Sequence, residues 1–209
     1  MPSAADLFFV ALLGVIVFTP LSVRLLGDAD IGWHIRSGQL IAATHAVPRV
    51  DSFSSTMQGR PWFAWEWLYD LIVGELEAHF GLNGVVWLTA VVIAAVFSWM
   101  FRLLMARGAN VVVGLLLVLL ALWASTIHLL ARPHVVSWLF TLAWFVILNS
   151  SERECFAGNG DRRGRWLWAL PLLMLVWERA WRFSAGVRIV GNFLAGRGVE
   201  LVPCERQPD

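Results

Sequence analysis

The chain has 209 residues, of which 58% are hydrophobic and only 15% are charged, and its mean hydropathy is +0.67. Too few charged side chains are present to cover a water-facing surface, so the composition excludes an ordinary soluble domain. A net charge of +1, with no block of like charges, gives no indication of nucleic-acid binding. We therefore expect lipid to cover much of the protein.

Long apolar runs predict an all-α, polytopic integral membrane protein. A helix needs roughly 20 apolar residues to cross the hydrocarbon, and it satisfies its own backbone hydrogen bonds there. About four to five such helices are predicted, at residues 7–26, 85–101, 111–130 and 135–148, with a partial span at 166–177. The first run lacks the basic N-terminal residues of a signal peptide, so we predict an uncleaved helix.

The spans are separated by segments of different character. Residues 28–66 form a long polar loop, and residues 67–80 mix apolar and acidic side chains, which is typical of a membrane-surface helix. Pro133 breaks the apolar pattern between the third and fourth spans, because proline lacks an amide hydrogen and disfavours helix at the preceding residue. Residues 1–177 are thus predicted to form the membrane domain, followed by an Arg-rich tail, 178–209, that is interfacial or disordered.

Arginine placement predicts the orientation of the chain. Two arginines lie in the turn after the second span and four lie at 149–165, on the same side if the spans alternate. The positive-inside rule makes that side the cytoplasm. The loop 28–66 and Arg132 are then predicted to lie on the outer face. Cys155 and Cys204 show neither metal-ligand spacing nor a basis for a disulfide.

Two carboxylates, Asp28 and Asp30, follow the first span directly and are the predicted catalytic residues. Carboxylates spaced i and i+2 can act as a general base or bind a divalent cation, although the same pair also suits a plain polar cap at a helix end. A planar guanidinium suits phosphate, whereas an isolated arginine at a span end also serves as a membrane anchor. The predicted substrate-binding residues, from the loop and from the break between spans, are His34, Arg36, Asp51, Glu66 and Arg132.

The order of these residues resembles that of bacterial multi-span membrane proteins related to the C-type (GT-C) glycosyltransferases, a group that includes protein O-mannosyltransferases and lipid A arabinose transferases. The resemblance covers roughly residues 7–177. It rests on Asp28-x-Asp30-x-x-Trp33-His34-x-x-x-Gly38, Pro48-x-x-Asp51-x-Phe53-Ser54, Pro61-Trp62, Glu66-Trp67-Leu68 and Arg132-Pro133.

The resemblance implies a bacterial inner-membrane protein that transfers a hexose or pentose from a polyprenyl-phosphate donor, with Asp28 or Asp30 acting near the acceptor. Such proteins continue through more spans after the position of Trp177, so the chain is expected to be a truncated form. The alternative interpretation is a non-catalytic membrane protein or subunit that packs against partner helices.

Overall fold

Helices make up the regular structure of the residues that the structure describes. The computed structural model describes residues 2–156 and 169–175, and within these ranges no strand is present apart from an isolated bridge between Val50 and Pro61. The all-α prediction is therefore confirmed for the described residues. The helices are α1 (Ala4–Phe18), α2 (Leu21–Leu25), α3 (Asp30–Thr44), α4 (Trp67–Phe80), α5 (Leu82–Ala106), α6 (Val111–Ala124) and α7 (His134–Phe156), with a 3-10 turn at Thr126–His128.

The longest helix, α5, lies at the centre of the structure and contacts α1, α2, α4, α6 and α7. It includes the predicted span 85–101, and its 25 residues reach about 37 Å at 1.5 Å per residue. Among the described residues it is the one helix that is long and apolar enough to cross a membrane, by length and composition alone, and 61% of its most apolar stretch is buried by the rest of the protein. The helices α1, α6 and the apolar part of α7 are shorter.

The predicted first span, 7–26, is divided in the structure. The helix begins earlier, at Ala4, and ends at Phe18, and Thr19 is extended before Pro20 starts the short α2. The proline ring disfavours helical backbone at the residue before it, which explains the break. Thr19 closes the end of α1 through its hydroxyl, which donates to the carbonyl of Val15 at 2.6 Å.

The predicted third span, 111–130, is also shorter than expected, because α6 ends at Ala124. The chain then makes a 3-10 turn and leaves the helical path. At the end of this connection the amide of Ala131 donates to the carbonyl of Leu25 at 2.8 Å, and Ala131 is fully buried. This hydrogen bond ties the segment before α7 to the end of α2, so the last residues of the predicted span belong to a connection and not to a helix.

The segment predicted as a loop, 28–66, contains the 15-residue helix α3, which packs along α4 in the most extensive helix pair of the structure. Glycines allow this packing. A Cβ on Gly38 would overlap the carbonyl oxygen of Asp70, and one on Gly74 would lie 2.8 Å from the backbone of Gln39. The predicted helix 67–80 coincides with α4.

Residues 169–175, inside the predicted partial span 166–177, are helical. The Arg-rich tail 178–209, the remainder of that partial span and Cys204 lie outside the described residues.

Candidate functional site

A polar cleft of about 520 Å³ lies where the start of α3, the segment before α4 and the turn before α7 meet. These three parts are far apart in sequence, and the Ala131–Leu25 hydrogen bond helps bring them together. Five of its lining residues carry polar or charged groups, and four are aromatic. The polar group comprises Asp30, His34, Glu66, Arg132 and His134, the aromatic group comprises Trp33, Trp62, Phe63 and Trp65, and Pro133 completes the lining.

Arg132 binds both of the predicted catalytic carboxylates. Its Nη2 lies 2.6 Å from Oδ2 of Asp30, and its Nε contacts Oδ2 of Asp28. The Asp28 side chain is only 12% exposed, whereas that of Asp30 is 61% exposed and lines the cleft. The sequence predicts that these three residues lie on the same side of the membrane, and in the structure they form one ion-paired cluster.

His34 and Asp70 form a second side-chain pair, which joins α3 to α4. The Nδ1 atom of His34 lies 2.6 Å from Oδ1 of Asp70, whose side chain is 3% exposed. The ring of Tyr69 packs edge-on against the imidazole, with centroids 5.4 Å apart. Burial raises the pKa of the Tyr69 phenol, and the Asp70 carboxylate raises it further, so Tyr69 stays neutral. Asp70 and Tyr69 together fix the orientation of the His34 ring.

Glu66 precedes α4 and lines the cleft near this pair. Partial burial raises the pKa of its carboxyl group, the neighbouring His34 opposes that shift, and Asp70 adds to it. A carboxyl group with a raised pKa, next to a histidine in a cleft, is typical of sites that move protons.

The aromatic wall of the cleft is built around Trp33. Its ring makes edge contacts with Phe53, at 5.1 Å between centroids, and with Trp62, at 5.4 Å. Phe63 and Trp65 form a further edge contact at 5.3 Å. Aromatic side chains beside carboxylate, imidazole and guanidinium groups suit a sugar ring, which has an apolar C–H face and polar hydroxyls.

Two predicted substrate-binding residues do not line the cleft. Arg36 donates to Gln39 at 2.7 Å, and Gln39 donates in turn to Glu77 of α4 at 2.6 Å. Asp51 is buried and accepts hydrogen bonds from the amides of Ser54 and Phe53, both at 2.9 Å. These amides hold the pKa of the Asp51 carboxyl below its usual range. Arg36 and Asp51 therefore have local partners that account for them structurally.

The residues at Asp28 and Asp30 do not fit a divalent cation. A protein cation site needs several oxygen ligands, yet here the guanidinium of Arg132 contacts both carboxylates. Within residues 2–156 and 169–175, no group of three or more His, Cys, Asp or Glu side chains could hold a metal ion.

Asp70 is the site residue that sequence reasoning did not single out. The sequence predicts a membrane-surface helix over residues 67–80, yet Asp70 is only 2% exposed. The sequence held one indication of its role, because Asp70 lies four residues after Glu66, a predicted substrate-binding residue, and residues at this spacing share a helix face. What the sequence did not provide was the partner, His34, which lies 36 positions earlier.

Comparison with known proteins adds no relative: the chain matches no protein-family model, no curated protein and no solved structure. Function is therefore inferred from the cleft and from the surfaces around it.

Proposed function

We propose that the protein is a multi-pass protein of the bacterial inner membrane that handles a polyprenyl-phosphate-linked sugar at its outer face, as a GT-C-type glycosyltransferase does. The observation that carries the proposal is the composition of the cleft. A cation for phosphate, acidic groups for hydroxyls and a wall of tryptophans lie together where α3 and α7 begin.

Lipid contact is supported by the surface of α6. All 14 of its residues are apolar or glycine, and only Gly114 and Val118 are buried. A helix without a polar face is stable when it is buried in protein or surrounded by lipid. In water, an exposed apolar patch of this size would promote aggregation. The large side chains that α6 exposes are Val111, Val112, Val113, Leu116, Leu117, Leu119, Leu120 and Trp123. In the proposal, lipid covers them.

The proposed topology has spans at α1–α2, α5, α6 and α7, with the cleft outside. Helix α3, whose first turn lines the cleft, packs near the first turns of α5, where Val85 belongs to one buried cluster with Ile31 and Val73. Arg102 and Arg107 lie at the opposite end of α5, which is the cytoplasmic end by the positive-inside rule. Since α1 exposes Leu7, Val10, Val15 and Phe18, it also offers a surface to lipid.

In the proposed reaction the hydroxyl oxygen of an acceptor attacks the anomeric carbon of the sugar. The bond between that carbon and the phosphate oxygen breaks, and its electron pair leaves with the lipid phosphate. The acceptor proton passes to a basic group in the cleft. Arg132, 38% exposed, stabilises the leaving phosphate by exchanging a carboxylate partner for it. Asp28 and Asp30 then act chiefly by positioning this guanidinium.

A non-catalytic subunit is the second candidate, and the exposed face of α6 favours it, because that face would equally suit the helices of a partner protein. It gives no role to the cleft, however, so ligand binding separates the two candidates.

Binding of polyprenyl phosphate to the purified protein in lipid nanodiscs tests the proposal. We expect Arg132→Gln to weaken binding about ten- to hundredfold, because a charge-assisted hydrogen bond contributes about 1.5–3 kcal/mol. Asp30→Asn should tighten binding, since it removes the exposed carboxylate that competes for Nη2 of Arg132. Because the two substitutions are expected to change binding in opposite directions, loss of folding could not explain both results.

Arg36→Gln is the matched control, since Arg36 is exposed and bonded to Gln39 away from the cleft, and it should leave binding unchanged. Polyprenol, which lacks the phosphate, should bind more weakly than polyprenyl phosphate. Equal binding of the two lipids, with no effect of Arg132→Gln, would refute the proposed role of the cleft.

A further inference from the structure

We propose that His34, oriented by Asp70, is the group that accepts the proton of the attacking hydroxyl. This inference rests on the proposed function and deepens it, because it assigns the basic group of the cleft to a residue pair rather than to Asp28 or Asp30.

The buried carboxylate of Asp70 needs a hydrogen-bonding partner, and His34 provides it. A carboxylate that is almost fully buried is costly unless it is paired, and its Oδ1 lies 2.6 Å from Nδ1 of His34. The close approach of α3 and α4 at Gly38 brings the backbone of Asp70 against α3, one turn after His34. Asp70 is therefore a positioning residue, fixed by helix packing and directed at one nitrogen of the imidazole.

The carboxylate selects the histidine tautomer. An ionised Asp70 can only accept a hydrogen bond, so the Nδ1 of a neutral His34 carries the hydrogen and donates it. The basic lone pair then lies on Nε2. Because His34 lines the cleft, it supplies a neutral base at the place where the aromatic wall would hold a sugar.

The carboxylates in and beside the cleft are less suited to this step. Asp28 and Asp30 already hold the Arg132 guanidinium, which the proposed reaction needs for the phosphate. Glu66 lacks a described orienting partner comparable to Asp70, although it lies close enough to His34 for the two charges to interact. In the balanced step, the acceptor proton moves to Nε2 of His34 as the acceptor oxygen bonds to the anomeric carbon and the lipid phosphate leaves.

Nitrogen NMR of the full chain in nanodiscs, with histidine labelled by ¹⁵N, tests the inference. The chain has five histidines, and His34→Gln identifies the resonance of interest by its loss. We expect neutral His34 to carry its hydrogen on Nδ1. Asp70→Asn, which keeps the side-chain shape, should shift the population toward hydrogen on Nε2, because the asparagine amide can donate to Nδ1.

Glu75→Gln is the matched control. Glu75 lies on α4 and is 3.4 Å from His79 on the exposed side, so its substitution should leave the His34 tautomer unchanged. Two results would overturn the claim that Asp70 fixes the tautomer of His34. One is a hydrogen on Nε2 of neutral His34 in the unaltered protein, and the other is a tautomer that Asp70→Asn does not change.

Addition of a polyprenyl-phosphate hexose tests the catalytic part separately. We expect its binding to shift the Nε2 resonance of His34. Binding without such a shift would overturn the role of His34 as the base while leaving the proposed function intact. Failure of the donor to bind would overturn the proposed function, and with it that role, even if the tautomer were as expected.

Discussion

Replacing Gly38 with alanine is expected to lower the free energy of unfolding by about 1–3 kcal/mol, because the added methyl group overpacks a tight contact. The obstacle is the backbone of Asp70, which cannot rotate away as a flexible side chain could. Helices α3 and α4 would have to separate, and the His34–Asp70 pair would lengthen with them. Thermal or denaturant unfolding of the purified protein measures the loss.

Gly32 provides the control on the same helix. A Cβ at Gly32 meets no atom within 4 Å, so Gly32→Ala should be neutral or stabilise the protein by up to about 1 kcal/mol through helix propensity. If Gly38→Ala and Gly32→Ala changed the free energy of unfolding equally, that result would contradict the close backbone contact between α3 and α4.

Arg132→Gln is expected to lower stability by roughly 2 kcal/mol, because it leaves the mostly buried Asp28 carboxylate without its guanidinium partner. The magnitude is below that of a fully buried pair, since the Arg132 side chain is 38% exposed and solvent screens the interaction. Arg132→Lys should have a stability between those of the unaltered protein and Arg132→Gln, because an ammonium keeps the charge but lacks the planar fork that contacts two carboxylates.

A double-mutant cycle identifies which carboxylate depends on Arg132. Adding Asp28→Asn to Arg132→Gln should recover part of the lost stability, because it removes the uncompensated charge. Adding Asp30→Asn should recover little, since water can solvate that side chain. Strict additivity of the Asp28 and Arg132 effects would contradict the ion pair.

Apolar patterns gave the helical class and several boundaries correctly. The predicted helix 67–80 coincides with α4, and the break at Pro133 separates the turn from α7. Such features are local, since they depend on periodicity and on proline geometry. The division of the first span at Pro20 was missed, although the same geometry explains it.

The helix α3 was missed because its polar and aromatic residues suggested an outer loop. A helical pattern was nevertheless present, since the buried Ile31, Ile35, Gly38 and Ile41 recur at spacings of three and four. Their partner surface, on α4 and the start of α5, lies more than 30 positions later.

The sequence predicted part of the site for a physical reason. Asp28, Asp30 and Arg132 each end or interrupt an apolar run, and residues at such ends meet when helices pack side by side. Arg36 and Asp51 share the same polar segment, but Gln39 and the amides near Ser54 bind them locally. The spacing of Asp70 from Glu66 places both residues on one helix face, but the contact of Asp70 with His34 depends on tertiary packing, which linear spacing does not express.

The most direct test of the central claim is thiol labelling of intact cells, because the claim requires a multi-pass membrane protein with its cleft outside. Single-cysteine proteins, with Cys155 and Cys204 replaced by serine, would carry Ser52→Cys in the cleft-side segment or Ala109→Cys in the turn between α5 and α6. We predict that a membrane-impermeant reagent labels position 52 in intact cells and labels position 109 only after permeabilisation. Labelling of position 109 but not position 52 in intact cells, or of neither before permeabilisation, would contradict a cleft that meets lipid-linked sugars on the outer face.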